Sequence, residues 1–274
     1  MDKTPTNSAN SSSRSAGNAK EDRHFVTALA RGLDILACFR SGERLLGNQE
    51  LAERSRLPKS TVSRLTYTLT KLGYLDYVEH RGKYRLGSAS LALGSAMLAR
   101  MDVRQIARPL MQELADFSQG MVSLGMHDRL SMIYVENCRS QTALTLSLDV
   151  GSRIPVATTA MGRAYLAELD EPEREQLMNA ICAADAKAWE ETRSGIEQSL
   201  QEYRNLACCT SFGNWQKDVN AIAVAFKPGK GMAPVSINCG GPAFNLAPGF
   251  LLDEVRPRLL ELVQRLKHTL GSNI

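Results

Sequence analysis

The chain is poor in the residues from which metal and redox centres are built. It has four histidines, His24, His80, His127 and His268, and six cysteines, none of them in a C-x-x-C pair. Zinc sites need thiolate and imidazole ligands at short, repeated spacings, so neither metal nor cofactor is expected. Cys38, Cys138, Cys182, Cys208, Cys209 and Cys239 are spaced irregularly along 274 residues. That pattern argues against a disulfide framework and for free thiols in a reducing cytoplasm. Missing too is any apolar run near the roughly 18 residues that span a bilayer, and the first residues lack the apolar stretch of a secretory leader. A cytoplasmic protein with no membrane partner is expected. No phosphate-cradling glycine loop or serine elbow occurs. A reactive thiolate needs a neighbouring base or cation, and neither Cys208-Cys209 nor Cys239 has one nearby in sequence. The chain therefore reads as a non-enzyme with no catalytic residues.

What is present is a hydrophobic fraction of 43%, enough for real cores, in a length that suits two domains. The net charge of +4 is unevenly spread. Residues 23–87 hold twelve lysines and arginines against six acids, whereas 88–274 hold eighteen against twenty. Basic character on one segment is what attraction to phosphate requires. Residues 1–22 are rich in Ser and Asn with almost nothing apolar, so a disordered tail is expected.

Within the basic segment, 47–72 reads as two short helices joined by a tight turn. The first starts after Asn48, a helix-capping residue type, and carries Leu51 and Ala52 inward. Pro58 stands at the entry to the second, where its missing N–H costs nothing. Val62, Leu65, Leu69 and Leu72 form the second helix's buried stripe. Its other face presents Lys59, Ser60, Thr61, Ser63, Arg64 and Tyr67, with Gln49 on the preceding helix. Small donors and cations at a helix N-terminus are what a major groove accepts. An ordinary amphipathic pair with a solvated face is the alternative. A helix over 24–40, stopped by Gly42, precedes the pair, and two β-like runs at 74–78 and 83–86 follow it. The turn between those runs brings Arg81 and Lys83 to a hairpin tip. Three helices and a basic hairpin make a winged helix-turn-helix, whose wing adds salt-dependent affinity for the DNA backbone.

Residues 88–101, SASLALGSAMLARM, are apolar on nearly all sides. Such a helix is expected to be buried, either against its own copy in a dimer or on the next helix. That next helix starts at Asp102 with a capping box to Gln105, an apolar face of Ile106, Leu110, Leu114 and Phe117, and a kink at Pro109. Strands are expected at 121–126, 131–136 and 142–148. Helices follow at 160–169, 172–183 and 195–205, the last opened by Ser194 and Glu197. Strands return at 221–226 and 233–238 before a final helix over 250–270. This order predicts an α+β domain on an antiparallel sheet. The stretch Thr159-Ala160-Met161-Gly162 opens a helix, whose free N–H groups make an anion site. Equally, Ala160 and Gly162 fit a plain close-packing role.

Over residues 24–270 the chain resembles the IclR family of bacterial transcriptional regulators. The resemblance rests on ARGLDIL at 30–36, LPKSTVSRL at 57–65, LGYL at 72–75, YRLG at 84–87, VGSRIP at 150–155 and MGRAYLA at 161–167. It implies an N-terminal winged helix (23–87) that binds a palindromic operator as a homodimer or homotetramer, and a linker helix (88–101). It also implies a GAF-like/PAS-like effector domain (102–274) that answers to a small-molecule effector, commonly an organic acid. The family's pocket positions fall on Ser211, on Ala221 where Cys is usual, and on Asn238-Cys239-Gly240-Gly241-Pro242, where Ser-x-Ser-Gly-Pro is usual. The chain departs at all three; Trp215 is expected either to wall the pocket, favouring an aromatic or larger ligand, or to be a plain core or surface aromatic. Two other readings remain open. One is a constitutive DNA-binding regulator whose second domain only oligomerises. The other is an enzyme on the same sandwich.

Overall fold

The computed structural model describes residues 24–40, 43, 45–140 and 148–271. The expected tail at 1–22, the stop at Gly42 and most of the 142–148 strand lie outside the described residues. Helices α1 (Thr27–Ala37), α2 (Asn48–Ser55) and α3 (Lys59–Lys71) pack around Ile35, Leu46, Leu51, Val62, Leu69 and Leu75. The cap of α2 is Gly47 rather than Asn48: its N–H donates to Glu50 Oε2 at 2.7 Å, while Asn48 reaches across to Ser63 Oγ at 3.3 Å. The buried stripe of α3 also differs from expectation. Thr66 is fully buried and donates its hydroxyl to the Val62 carbonyl at 3.0 Å, whereas Leu72 is 61% exposed. The helix ends at Lys71 and the chain turns at Gly73, with φ of 76°, so Leu72 is carried out of the core.

Strands β1 (Leu75–Val78) and β2 (Lys83–Leu86) form an antiparallel hairpin, with Val78 opposite Lys83. A bridge between Leu46 and Tyr84 draws β2 against the start of α2. Helix α4 (Ser88–Leu98) follows, and none of its residues is buried within the chain. Leu98 at its end is partly buried against the cluster that holds Val103 and Ala107 of the next helix, whereas Leu91, Leu93 and Met97 are exposed. That helix, α5 (Asp102–Ser118), has no capping box, because Asp102 is already its first residue and Met101 is the cap. Its inward stripe is Val103, Ala107, Met111, Leu114 and Ser118; Ile106 and Leu110 are half-buried and Phe117 is exposed.

A six-stranded antiparallel sheet organises the rest, in the order β5-β4-β3-β8-β7-β6. Its strands are β3 (Met121–Asp128), β4 (Ser131–Arg139), β5 (Arg153–Pro155), β6 (Cys209–Phe212), β7 (Val219–Phe226) and β8 (Val235–Pro242). Every residue of β7 is buried. Ile222, Val224 and Phe226 face the layer made by α5 and the C-terminal helix. Ala221, Ala223 and Ala225 face the opposite layer, where their small size lets a helix approach closely. That layer holds α6 (Ala160–Glu168), α7 (Glu171–Ala184) and α8 (Trp189–Leu206). Helix α8 begins at Trp189, five residues before the expected capping box opens at Ser194, and Glu197 of that box instead takes a 2.8 Å bond from Arg193. The C-terminal helix runs as α9 (Pro248–Phe250), a π turn (Leu251–Val255) and α10 (Arg256–Gly271).

Candidate functional site

The two ends of the chain present two different sites. On the first domain, Lys59, Ser60, Ser63, Arg64 and Tyr67 are exposed along one face of α3, and Thr61 is half-buried beside them. Gln49 is exposed on α2, bonded to Glu53 at 3.1 Å. Tyr67 is 65% exposed, with the Lys71 ammonium 5.5 Å from its ring centre. Arg81 lies exposed in the turn Glu79–Arg81, which closes through Gly82 at φ of 60°. Lys83 is not at the tip. It opens β2, half-buried, with Nζ 3.0 Å from Glu50 Oε2. The register that pairs it with Val78, and the bridge from Leu46 to Tyr84, hold it against α2. The Gly47 N–H and the Lys83 ammonium together hold the Glu50 carboxyl below its ordinary range. Only Arg81 of the two expected wing cations is thus free to reach outward.

On the second domain a cavity of about 20 Å³ lies between the sheet and the N-terminus of α6. It is lined by Thr159, Ala160, Met161, Ser211, Trp215, Ala221, Asn238 and Gly240, all expected from the sequence, and by Met121, Tyr134, Ile154 and Val219, which were not. Strand alternation explains the second group: once Asn238 and Gly240 face this side, their neighbours across β3, β4, β5 and β7 do too. Two expected residues are elsewhere. Cys239 points to the opposite layer, as its place between Asn238 and Gly240 requires, and donates to Ser118 Oγ at 3.3 Å. Gly162 sits under the backbone of Val156, where an added Cβ would lie 2.1 Å from the Val156 oxygen. Its glycine serves packing, and its N–H is taken by Thr159 Oγ1 at 3.2 Å. Thr159 caps α6 and also donates to the Pro155 carbonyl at 2.7 Å. Ser211 donates to the Thr158 carbonyl at 3.3 Å.

The polarity of this sheet face is unusual. Ser236 Oγ and Asn238 Oδ1 are buried with no hydrogen-bond partner, while the Ser123 hydroxyl and the Asn238 side chain hydrogen-bond to the Tyr134 phenol. Each such group costs about 1–3 kcal/mol if left unsatisfied. Burial pushes the Tyr134 phenol up to about 12, and its hydrogen bonds with Asn238 and Ser123 oppose the shift. Behind α6, Arg163 is buried and bonded to the Ala157 carbonyl at 3.0 Å and to Ser199 Oγ at 3.2 Å; burial lowers its pKa. It fixes the turn that precedes the cavity. Nothing in the local sequence announced that role for an arginine. Nor did it announce a larger, open cavity of about 430 Å³ beside the β3–β4 hairpin, where the His127 and Tyr165 rings stack with centres 4.6 Å apart. Cys138, Cys208, Cys209 and Cys239 are buried, and burial raises the pKa of all four.

Residues 28–79 match the sequence profile of the IclR helix-turn-helix domain, and residues 95–266 match that of the bacterial transcriptional regulator IclR C-terminal domain. The chain is 36% identical over 242 residues to the HTH-type transcriptional regulator TsaQ1/TsaQ2 of Comamonas testosteroni, covering 88% of this chain and 87% of that protein. The crystal structure of an IclR family transcriptional regulator from Brucella abortus is 42% identical. Its TM-score is 0.79, over 93% of this chain and 96% of that one. An IclR homologue from Microbacterium hydrocarbonoxydans, solved in complex with 4-hydroxybenzoate, shares the fold. It has a TM-score of 0.70 at 20% identity, over 89% of this chain and 99% of that one.

Proposed function

This chain belongs to the IclR family of bacterial transcriptional regulators, a DNA-binding regulator and not an enzyme, and we propose that it reads a palindromic operator under the control of a small organic acid. In this reading 23–87 is the DNA-binding domain, 88–101 the linker and 102–274 the effector domain, in the cytoplasm. The exposed polar face of α3 enters the major groove. Lys59, Ser60, Thr61, Ser63, Arg64 and Tyr67 face bases and phosphates, Gln49 meets the backbone, and Arg81 reaches over the wing. Two copies are needed to meet two half-sites at once. The exposed Phe25, Leu29 and Leu33 of the α1 region and Leu91, Leu93 and Met97 of α4 supply an apolar surface for that pairing.

The regulatory half rests on one observation. A cavity at the N-terminus of α6 carries Asn238, a buried polar side chain whose Oδ1 has no partner. An anion is favoured at a helix N-terminus, where free N–H groups and the helix dipole converge, and this favours a carboxylate effector there. The larger cavity by His127 is open-sided and stands apart from that helix end. The small volume of the α6 cavity favours the second reading, a constitutive regulator whose C-terminal domain only oligomerises. A screen of aliphatic and aromatic carboxylic acids, scored by melting temperature and by operator release, separates the two. A ligand that binds the folded chain must raise its melting temperature. Stabilisation with release supports regulation; a flat screen leaves the constitutive reading standing.

A further inference from the structure

The hydroxyls of α3 are not equivalent. Thr66, Thr68 and Thr70 each donate to the carbonyl four residues earlier, those of Val62, Arg64 and Thr66, at 3.0, 3.0 and 2.8 Å. Their donors are spent inside the helix. Ser63 is exposed on the face proposed to enter DNA and makes no such bond among the described residues. Its oxygen instead accepts from Asn48 Nδ2 at 3.3 Å, across 15 residues of chain. The other end of that amide is tied as well, since Asn48 Oδ1 accepts from the fully buried Thr66 hydroxyl at 3.4 Å. The Thr66 proton, shared with the Val62 carbonyl, sets the amide with its oxygen toward Thr66 and its nitrogen toward Ser63. Asn48 is itself held in place. It is the first residue of α2, whose first turn is pinned by Glu50, bonded to the Gly47 N–H at 2.7 Å and to Lys83 of the wing at 3.0 Å. A serine hydroxyl has one hydrogen and two lone pairs. Asn48 occupies a lone pair of Ser63, so the hydrogen is left for whatever lies in front of α3.

We propose that Asn48 is a positioning residue for base reading, and that it makes Ser63 a hydrogen-bond donor to a keto base. In the major groove guanine O6 and thymine O4 accept, whereas cytosine N4 and adenine N6 donate. Ser63 stands in the N-terminal half of α3, the part of a recognition helix that meets base edges. Its partner is a guanine or a thymine on the strand that faces it. Asn48 acts through Ser63, by deciding which way that hydroxyl points. This inference rests on the docking of α3 proposed above. It adds the class of base at one position of each half-site and the residue that sets the choice.

The test offers the full-length protein a pool of duplexes with a randomised core. The bound fraction is sequenced, and the selected site and its single-base variants are then titrated. Ser63→Ala, Asn48→Ala and Asn48→Asp are compared with the parent, and Arg64→Ala serves as the docking control. Ser63→Ala should weaken the selected site about fivefold, the size of one hydrogen bond. It should also abolish the keto preference at one base pair of each half-site and leave the other positions as they were. Asn48→Ala keeps the hydroxyl but frees it to rotate, which should cut that preference to about twofold or less. Asn48→Asp separates positioning from support. An acid suits the first turn of a helix, so the variant folds, but its carboxylate can only accept. Ser63 must then donate to it and present its lone pairs to the groove. The preference at that pair should turn from keto to amino base, while the added negative charge weakens binding to every sequence. A keto preference that persists in Asn48→Asp, or weakening of all sequences alike by Asn48→Ala, overturns the positioning role. Weakening of all sequences alike by Ser63→Ala puts the hydroxyl on a phosphate and overturns the base reading. If Arg64→Ala weakens binding while Ser63→Ala changes nothing, the docking stands and this inference falls. If neither changes binding, the docking itself falls.

Discussion

Arg81 and Lys83 are two residues apart and hold different positions in the wing. Lys83 is engaged by Glu50, with both side chains near two-fifths exposed, so the pair contributes less than about 1 kcal/mol. Lys83→Ala should therefore lower the unfolding midpoint of the winged domain slightly and leave the salt dependence of operator binding nearly unchanged. Arg81→Ala should do the reverse, reducing the slope of log K against log salt by about 0.9, the value for one phosphate contact. Binding titrations at four salt concentrations check both. The Gly47 N–H, with Lys83, lowers the Glu50 pKa. A depressed carboxyl stabilises the fold above its unfolded pKa and loses that contribution as pH falls through the folded value. Glu50→Gln should accordingly flatten the acid side of the melting curve. The sequence showed both cations but not the register that separates them, because the bridge from Leu46 to Tyr84 joins residues 38 apart. The thiols give a second residue-scale expectation. Cys182 alone of the six is not buried, so a thiol reagent should label about one cysteine per native chain quickly and all six after denaturation. Fast labelling of a second thiol would count against the buried placement of the rest.

Helix α5 shows what element-scale reasoning from sequence recovers and where it stops. Its existence and length were legible, because apolar residues recur at helical spacing. Its facing was not: Ala107 and Ser118 turn inward while Phe117 turns out. A periodicity weighted by large side chains overlooks small ones that permit close approach to the sheet. The same blindness hid β6, whose four residues include Thr210 and Ser211. The element is held by charge as well as packing. Glu136 of β4, its side chain 3% exposed, is bracketed by Arg104 and Arg108 of α5 at 2.9 and 2.5 Å. Removing a buried partner leaves the others uncompensated, which costs about 3–5 kcal/mol at full burial. Arg108 is 59% exposed, so the lower part of that range applies, discounted for screening. Glu136→Gln should destabilise the effector domain by about 2 kcal/mol in urea unfolding. It should also loosen α5 on the sheet, raising amide exchange in the helix more than in α10. Equal exchange in both helices would mean that the ion pairs do not position α5.

At the scale of the whole molecule, the order of domains could be read from charge and pattern, since basic residues concentrate before residue 88 and β periodicity begins after residue 120. What could not be read is what covers α4, on which the proposed coupling of the two halves depends. That helix exposes Leu91 at 71%, Leu93 at 61% and Met97 at 53%. It leads directly into α5, which is packed and ion-paired to the sheet that carries the cavity. If α4 pairs with its copy, any shift of α5 changes the separation of the two α3 helices, and with it the fit to two half-sites. Leu91→Glu with Leu93→Glu places charges on that face, and sedimentation should then show smaller assemblies and operator binding should weaken by at least tenfold. On the proposed reading, effector and operator belong to one thermodynamic cycle. An acid that lowers operator affinity by some factor must itself bind the operator complex more weakly by that factor, with about 5- to 150-fold the usual range for such coupling. Calorimetric titration of the acid into free protein and into the operator complex measures one side, and operator titration with and without saturating acid the other. Equal factors are required if both ligands act through the chain. In the double glutamate variant both factors should fall toward one together, because α4 no longer transmits; a variant that stays monomeric yet keeps the full coupling would place the transmission elsewhere.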